Sequence, residues 1–215
     1  MSAHENNNWL KSKSQVFWGE IAPADHVVQI YEDDGVFLDL LEGFVKGGIK
    51  ADDCVIVIAT LEHLQALEER LRNNGFDVFD LKLRDQYIPM NAGSALTEFM
   101  IDGWPDEVLF RYLMTSLMAR ADARKRKVRA FGEMVAVLWS HGHTAATVQL
   151  EEMWNKVCEA GAVSLFCAYP RSGFNEDAQK AIMNTNGSHS RMVTGIGTSK
   201  TEIYFKSLDS NKQAG

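Results

Sequence analysis

The run CVIVIA, which lies inside DDCVIVIAT at residues 52–60, constrains the fold more than any other stretch of the chain. Every position in the run is apolar and most are β-branched, so a strand formed from it is buried on both faces. Strands of this kind are typical of the centre of a parallel sheet, which is covered by helices on each side. The run therefore predicts a sheet with helices packed on both faces.

Strand-like and helix-like segments alternate on either side of this run. HVVQIY, VRAFG and SLFCAY are further apolar runs of strand length, whereas LEHLQALEERLRNNG and HTAATVQLEEMWNKVCEAG have the apolar spacing of amphipathic helices. This order predicts an α/β fold, and we expect a three-layer α/β/α sandwich with a mostly parallel sheet whose central strands include 53–59, 127–133 and 163–169. FDVFDLKL (76–83) is interpreted as the next strand and TEIYFKSL (201–208) as a late edge strand.

The composition fits one domain of ordinary globular type. The chain has 215 residues, of which 46% are hydrophobic and 24% are charged. This length suits a single large domain rather than two. We assign that domain to residues 24–207, between a flexible or partly helical segment at 1–23 and a polar tail at 208–215.

Charge, hydropathy and cysteine usage narrow the partners and the compartment. The formal net charge of -7 argues against direct nucleic-acid binding. No apolar run approaches the roughly 18 residues that a membrane span needs. The three cysteines form no C-x-x-C pair, and Cys54 and Cys167 lie inside apolar runs, so we expect reduced core thiols. The sequence therefore predicts a cytoplasmic protein that does not bind membranes.

Candidate site residues follow the predicted strands. In an open α/β sheet, ligands bind beyond the carboxyl ends of the strands. The residues near those ends that can contact a ligand are Tyr31, Glu32, Asp33, Thr60, His63, Glu133, Trp139, Tyr169, Arg171 and Phe174. We expect them to share one crevice that binds a small molecule.

Glu133 raises a specific question because it is a lone carboxylate in the apolar segment VRAFGEMVAVLW. Burying an unpaired carboxylate is costly, so Glu133 should have a partner, and His63 and Arg171 are the candidates. Several alternatives stay open. Glu133 can cap the helix that follows it, His63 can be structural, YEDD can form an ordinary acidic helix start, and Trp139 can belong to the core.

The sequence motifs of common enzymes are absent. The chain has no G-x-x-x-x-G-K-[ST] phosphate loop, no G-x-S-x-G nucleophile elbow and no H-E-x-x-H zinc motif. The carboxylates of YEDDGV would repel phosphate. His141 and His143 lack a recognised metal-ligand spacing, so no metal site is predicted. These absences favour a binding protein over an enzyme, and no ATP is expected as a cofactor.

Three ordered segments resemble a known family. HVVQIYEDDGVFLDLLEGFVKGGIKADDCVIVIATLEHLQAL, VRAFGEMVAVLW and SLFCAYP together are similar to the MEDS domain, a methanogen and methylotroph sensory domain, over roughly residues 24–192. The resemblance implies a module that senses simple hydrocarbon derivatives, with a layout similar to RecA/KaiC-type cores but without a phosphate loop. On that layout YEDDGV takes the place of the phosphate loop, and Glu133 lies near the acidic Walker B position.

The resemblance also implies partners. Domains of this family usually accompany histidine kinases of two-component systems or DNA-binding transcription regulators. We therefore expect a small-molecule ligand and a signalling protein of one of these kinds as partners, and a homodimer is left open. The predicted function is non-catalytic sensing and signal transduction. The alternative is an enzyme or nucleotide-binding protein with a modified RecA-like site in which Glu133 is the general base.

Overall fold

The computed structural model describes residues 9–12, 18, 25–122, 124–160, 163–171, 191–195 and 201–206. The strands are β1 (Trp9–Ser12), β2 (His26–Tyr31), β3 (Cys54–Ala59), β4 (Tyr87–Asn91), β5 (Met100–Ile101), β6 (Trp104–Pro105), β7 (Val128–Gly132), β8 (Val163–Pro170), β9 (Arg191–Gly195) and β10 (Thr201–Lys206). The helices are α1 (Asp34–Lys50), α2 (Leu61–Asn73), α3 (Val78–Leu83), α4 (Ala92–Phe99), α5 (Glu107–Asp122), α6 (Met134–Ser140) and α7 (Thr144–Glu159).

One sheet of eight strands organises the molecule, in the order β1-β10-β9-β2-β8-β7-β3-β4. All neighbours from β9 to β4 pair in parallel, and β10 and β1 extend the sheet with antiparallel pairs. The three strands predicted to be central lie side by side as β8, β7 and β3. The prediction of a mostly parallel α/β sheet is therefore confirmed.

Helices cover both faces of this sheet because side chains of its strands alternate in direction. Val55 and Val57 pack with the buried residues of α1, α2 and α3, on what we call the α1 face. Ile56 and Ile58 pack with the buried residues of α4, α5, α6 and α7, on the α7 face. All four of these side chains are fully buried. Among the described residues, every helix is too short or too polar to cross a lipid bilayer.

Residues 76–83 form the helix α3, so their prediction as a strand is wrong. Val78 and Leu81 are buried, whereas Phe79 is 77% exposed. That spacing of three residues is helical and does not alternate as a strand does. The side chain of Asp77 accepts a hydrogen bond from the backbone N of Asp80 and caps the helix. The strand that follows β3 in the chain is instead β4. The sequence pattern does not predict it, because this segment contains a proline and polar residues.

Two further differences concern the ends of the chain. The predicted edge strand β10 is not an edge, because it pairs with β9 on one side and β1 on the other. β1 lies in the segment at 1–23 that the sequence predicts to be flexible or partly helical. Pairing with β10 gives these four residues backbone hydrogen bonds that their own sequence pattern does not indicate. Phe174, one of the predicted site residues, lies outside the described residues.

A buried ion pair lies at the end of the sheet opposite the predicted site. Nε of Arg129, on β7, donates to Oδ2 of Asp53 at 2.6 Å, and Nη1 of Arg129 donates to the backbone oxygen of Trp18. Arg129 is 5% exposed. Asp53 directly precedes β3, and Arg129 is the second residue of β7. The ion pair therefore holds the amino-terminal ends of these two central strands together.

Candidate functional site

Glu133 follows β7 and turns its side chain toward the end of β3. Its Oε2 accepts a hydrogen bond from the backbone N of Thr60 at 2.8 Å, and its Oε1 lies 2.8 Å from Nδ1 of His63. The residue is 5% exposed. Although Glu133 occupies the N-cap position of α6, its side chain makes no capping hydrogen bond. The capping alternative is therefore wrong, and the partner of this buried carboxylate is His63.

Local structure at the start of α2 places His63 beside Glu133. Thr60 directly follows β3 and is the N-cap of α2, where its side chain accepts from the backbone N of His63 at 3.4 Å. The backbone N of Glu133 donates to the oxygen of Ile58 at 2.8 Å, which aligns the ends of β3 and β7. Both halves of the pair are thus positioned by backbone geometry at the carboxyl ends of adjacent parallel strands.

Aromatic rings form one wall of this site. Tyr31, the last residue of β2, stacks on Phe37 with ring centroids 4.7 Å apart and an interplanar angle of 21°. Phe37 meets the imidazole of His63 edge to face at 4.8 Å and contacts Phe131 at 5.6 Å. Tyr31 is 5% exposed and Phe37 is fully buried. The polar pair therefore borders a buried aromatic cluster on the α1 face.

The electrostatics of the site are acidic. Burial raises the pKa of the Tyr31 phenol, and the negative charges of Glu133 and Asp34 raise it further, so Tyr31 stays protonated. Burial alone would lower the pKa of His63. The hydrogen bond and charge of Glu133, with smaller contributions from Asp34 and Glu62, outweigh burial and raise the pKa of His63 above its ordinary value. Glu133 therefore stabilises the protonated form of His63, while Glu133 and Asp34 together place negative charge beside the imidazole.

The acidic turn after β2 is built around the start of α1. Oδ1 of Asp33 accepts from the backbone N of Val36 at 3.1 Å and caps the helix. Glu32 pairs with Arg171 at 2.8 Å, and both side chains are about half exposed. Arg171 therefore pairs with Glu32 and not with Glu133, the partner that the sequence also left open for it. The interpretation of YEDD as an acidic helix start holds for Asp33.

Two predicted site residues lie on the other face of the sheet. Ala168 packs on the α1 face, so the next residue, Tyr169, points to the α7 face. Tyr169 is fully buried there, and its hydroxyl donates to Oε1 of Glu151. Trp139 packs against the same core from α6. The expectation that Tyr169 and Trp139 share a crevice with His63 is therefore wrong.

Sequence reasoning missed Phe37, which contacts both Tyr31 and His63. Its signal was weak, because one apolar residue in the first turn of an amphipathic helix is normally part of the core. A cavity of about 230 Å³ does not involve the site residues. It lies at the surface of α7 and is lined by Glu107, Ala145, Val148, Gln149, Glu152, Met153 and Lys156.

Comparison with solved structures supports the fold class. The crystal structure of the flagellar accessory protein FlaH from Methanocaldococcus jannaschii, a RecA-like fold, is similar to this chain with a TM-score of 0.51. The sequences are 7% identical, and the similarity covers 85% of this chain and 77% of that one. At this identity the likeness concerns the fold alone, and it supports an α/β fold similar to that of the RecA-like neighbour.

Comparison of sequences identifies the family. The curated proteins give no match. The family model described as MEDS, "MEthanogen/methylotroph, DcmR Sensory domain", matches residues 25–186, which include β2, the His63–Glu133 pair and β8. The match covers most of the chain, and the description of the family indicates a sensory or signalling role. This chain belongs to the MEDS family of sensory domains.

Proposed function

We propose that this chain is a cytoplasmic, non-catalytic sensory domain that binds a small organic molecule at the carboxyl ends of β2, β3 and β7. The observation that carries the proposal is the contact of 2.8 Å between His63 and Glu133 beside the Tyr31–Phe37 stack. Because Glu133 engages Nδ1, the second ring nitrogen, Nε2, is the atom of His63 that can contact a ligand. A few polar groups beside an apolar wall are typical of small-molecule sites.

The charge of the site favours a neutral or cationic ligand. Glu133 and Asp34 both raise the pKa of Tyr31 and of His63, so an anion placed there while the imidazole is neutral meets two negative charges. An aromatic face beside carboxylates suits a small ammonium ion, which is attracted by the ring as well as by the charge. Small alcohols and amines therefore fit best among simple hydrocarbon derivatives.

The acidic turn between β2 and α1 disfavours nucleotide binding. Helix N-termini bind phosphate through unpaired backbone N–H groups. At α1 the carboxylate of Asp33 already accepts from Val36 N, and Asp34 adds a second negative charge in the first turn. We therefore keep the proposal that ATP is not a cofactor, which calorimetry with ATP and Mg²⁺ tests.

The route of the signal follows the contacts of Glu133. Its carboxylate holds the N-cap of α2 through Thr60, and its backbone begins α6. A ligand that binds one arrangement of these helix starts more tightly shifts the population toward it. We propose that a histidine kinase, a transcription regulator or a second copy of the chain detects this shift.

A second candidate function is an enzyme, and the geometry changes its proposed base. Both carboxylate oxygens of Glu133 accept hydrogen bonds, from Thr60 N and His63. In such a dyad the carboxylate orients the imidazole, and the imidazole accepts the proton. The general base would therefore be His63 through Nε2, and not Glu133. Turnover of any ligand that binds, measured by product analysis, distinguishes this function from sensing.

Unfolding in urea, with methylamine or methanol as the ligand, tests the sensory proposal. A ligand that binds the native state raises the free energy of unfolding, by about 2.7 kcal/mol at a hundred times its Kd. We expect this increase in the wild type and its loss in Glu133→Gln. Glu68→Gln is the matched control, because Glu68 lies on α2 and pairs instead with Arg72 and Lys82. Equal increases in all three proteins would contradict the site.

A further inference from the structure

A second polar cluster lies on the α7 face, away from the proposed sensory site. His26 begins β2, Cys167 lies in the neighbouring strand β8, and Glu151 faces them from α7. Nε2 of His26 lies 3.4 Å from Sγ of Cys167 and 3.7 Å from Oε2 of Glu151. The exposed fractions are 1% for His26 and 0% for the other two. All three are residue types that bind metal ions.

The hydrogen bond of the other ring nitrogen fixes the orientation of His26. Nδ1 lies 2.9 Å from Oδ1 of Asn155, which is also on α7. An amide oxygen only accepts, so Nδ1 carries the proton in a neutral imidazole. Nε2 then has its lone pair directed toward Cys167 and Glu151. Histidines that bind metals typically donate their second N–H to a carbonyl or carboxylate in this way.

Glu151 is oriented by a similar outer contact. The hydroxyl of Tyr169 donates to Oε1, so Oε2 is the oxygen directed toward His26. The three potential ligand atoms all lie within 4.8 Å of one another. Tetrahedral zinc, with bonds of about 2.0 Å to nitrogen and 2.3 Å to sulfur, separates two such ligand atoms by roughly 3.5 Å. The separations of 3.4 and 3.7 Å from Nε2 match this geometry.

We infer that His26, Glu151 and Cys167 form a binding site for one divalent transition-metal ion of the zinc class. A fully buried carboxylate beside a thiol is costly without compensating charge, and a divalent ion balances both a carboxylate and a thiolate. Imidazole and thiolate ligands select zinc or cobalt over magnesium or calcium. The ion joins β2, β8 and α7, so its role is structural. A hydrogen-bonded network without metal is the competing explanation.

The test uses the full chain, produced without a polyhistidine tag in medium supplemented with zinc or cobalt, then desalted with a weak chelator. We expect about one metal ion per chain by elemental analysis. The cobalt protein should show a thiolate-to-cobalt absorption band in the near ultraviolet. Cys167→Ser should lose this band. Cys54→Ser should keep it, because Cys54 is an equally buried cysteine on β3 outside the cluster.

A wild-type measurement keeps the inference testable if Cys167→Ser fails to fold, which circular dichroism reveals. X-ray absorption at the zinc edge should show one sulfur and two or three nitrogen or oxygen neighbours. A wild-type chain without retained metal would overturn the inference in favour of the hydrogen-bonded network. A metal shell without sulfur, or a cobalt band that survives in folded Cys167→Ser, would overturn it as well.

Discussion

Nδ1 of His63 lies 2.8 Å from Oε1 of Glu133, although the two residues are 70 positions apart in the chain. Strand pairing produces this contact, because β3 and β7 are parallel neighbours and both residues follow the ends of those strands. The contact explains how Glu133 is accommodated beside the apolar residues that precede and follow it. It also joins the start of α2 to the start of α6, which makes it the centre of the proposed sensory site.

The stability lost when Glu133 is replaced should depend on whether the new side chain still accepts the hydrogen bonds from Thr60 and His63. Glu133→Gln keeps an acceptor oxygen and should lower the free energy of unfolding by about 1 kcal/mol. Glu133→Leu leaves Thr60 N and His63 Nδ1 without this acceptor, and should cost about 3 kcal/mol. Urea unfolding of both variants measures the difference. Equal costs for Gln and Leu would show that the two hydrogen bonds do not stabilise the fold.

The pH dependence of stability should follow His63. Its pKa in the folded protein is raised, so the folded state binds the proton more tightly than the unfolded chain. The resulting stabilisation is present below the ordinary histidine pKa of about 6.5 and is lost as pH rises through the raised value. We expect the difference in unfolding free energy between wild type and His63→Gln to shrink over that window. A difference that grows with pH would contradict the assigned direction.

The buried pair of Arg129 and Asp53 should matter far more than a surface pair. Asp53→Ala leaves a guanidinium group that is 5% exposed without its carboxylate, and should cost about 3–5 kcal/mol. Glu107→Ala removes the partner of Lys156 from a pair whose side chains are 50% and 58% exposed, and should cost less than about 1 kcal/mol. Thermal and urea unfolding compare the two. Similar losses would mean that Asp53 is not needed to compensate Arg129.

The fold was largely predictable because its central strands carry a strong signal. A run such as Val55–Ile58 is apolar at every position, and only a strand covered on both faces buries it completely. The segment at 76–83 was not predictable in the same way. Its apolar residues fit two periods, and the cap supplied by Asp77 decides for the helix. The pairing partner of β10 was not predictable either, because β1 is only four residues long and lies far from β10 in the sequence.

The site was predictable only in part. The rule that ligands bind at strand ends correctly brought Tyr31, His63 and Glu133 to one place, because strand ends are fixed by topology. It could not decide the side of the sheet, and Tyr169 lies on the α7 face because side chains alternate along β8. His26 and Cys167 carried no motif, since they meet through the pairing of β2 with β8.

Nuclear magnetic resonance of the His63 ring tests the proposed ligand site most directly. The ring C–H signals of His63, assigned with His63→Gln, are followed while methylamine, methanol or formate is added. At a pH above the pKa of His63, which the same signals report, we expect saturable shifts with the amine or the alcohol. We expect none with formate, because Glu133 and Asp34 repel an anion when the imidazole is neutral, and no saturable shift in Glu133→Gln. Saturable binding that leaves the His63 signals unchanged, or that favours formate, would contradict the proposed site, as would the absence of saturable binding by both the amine and the alcohol.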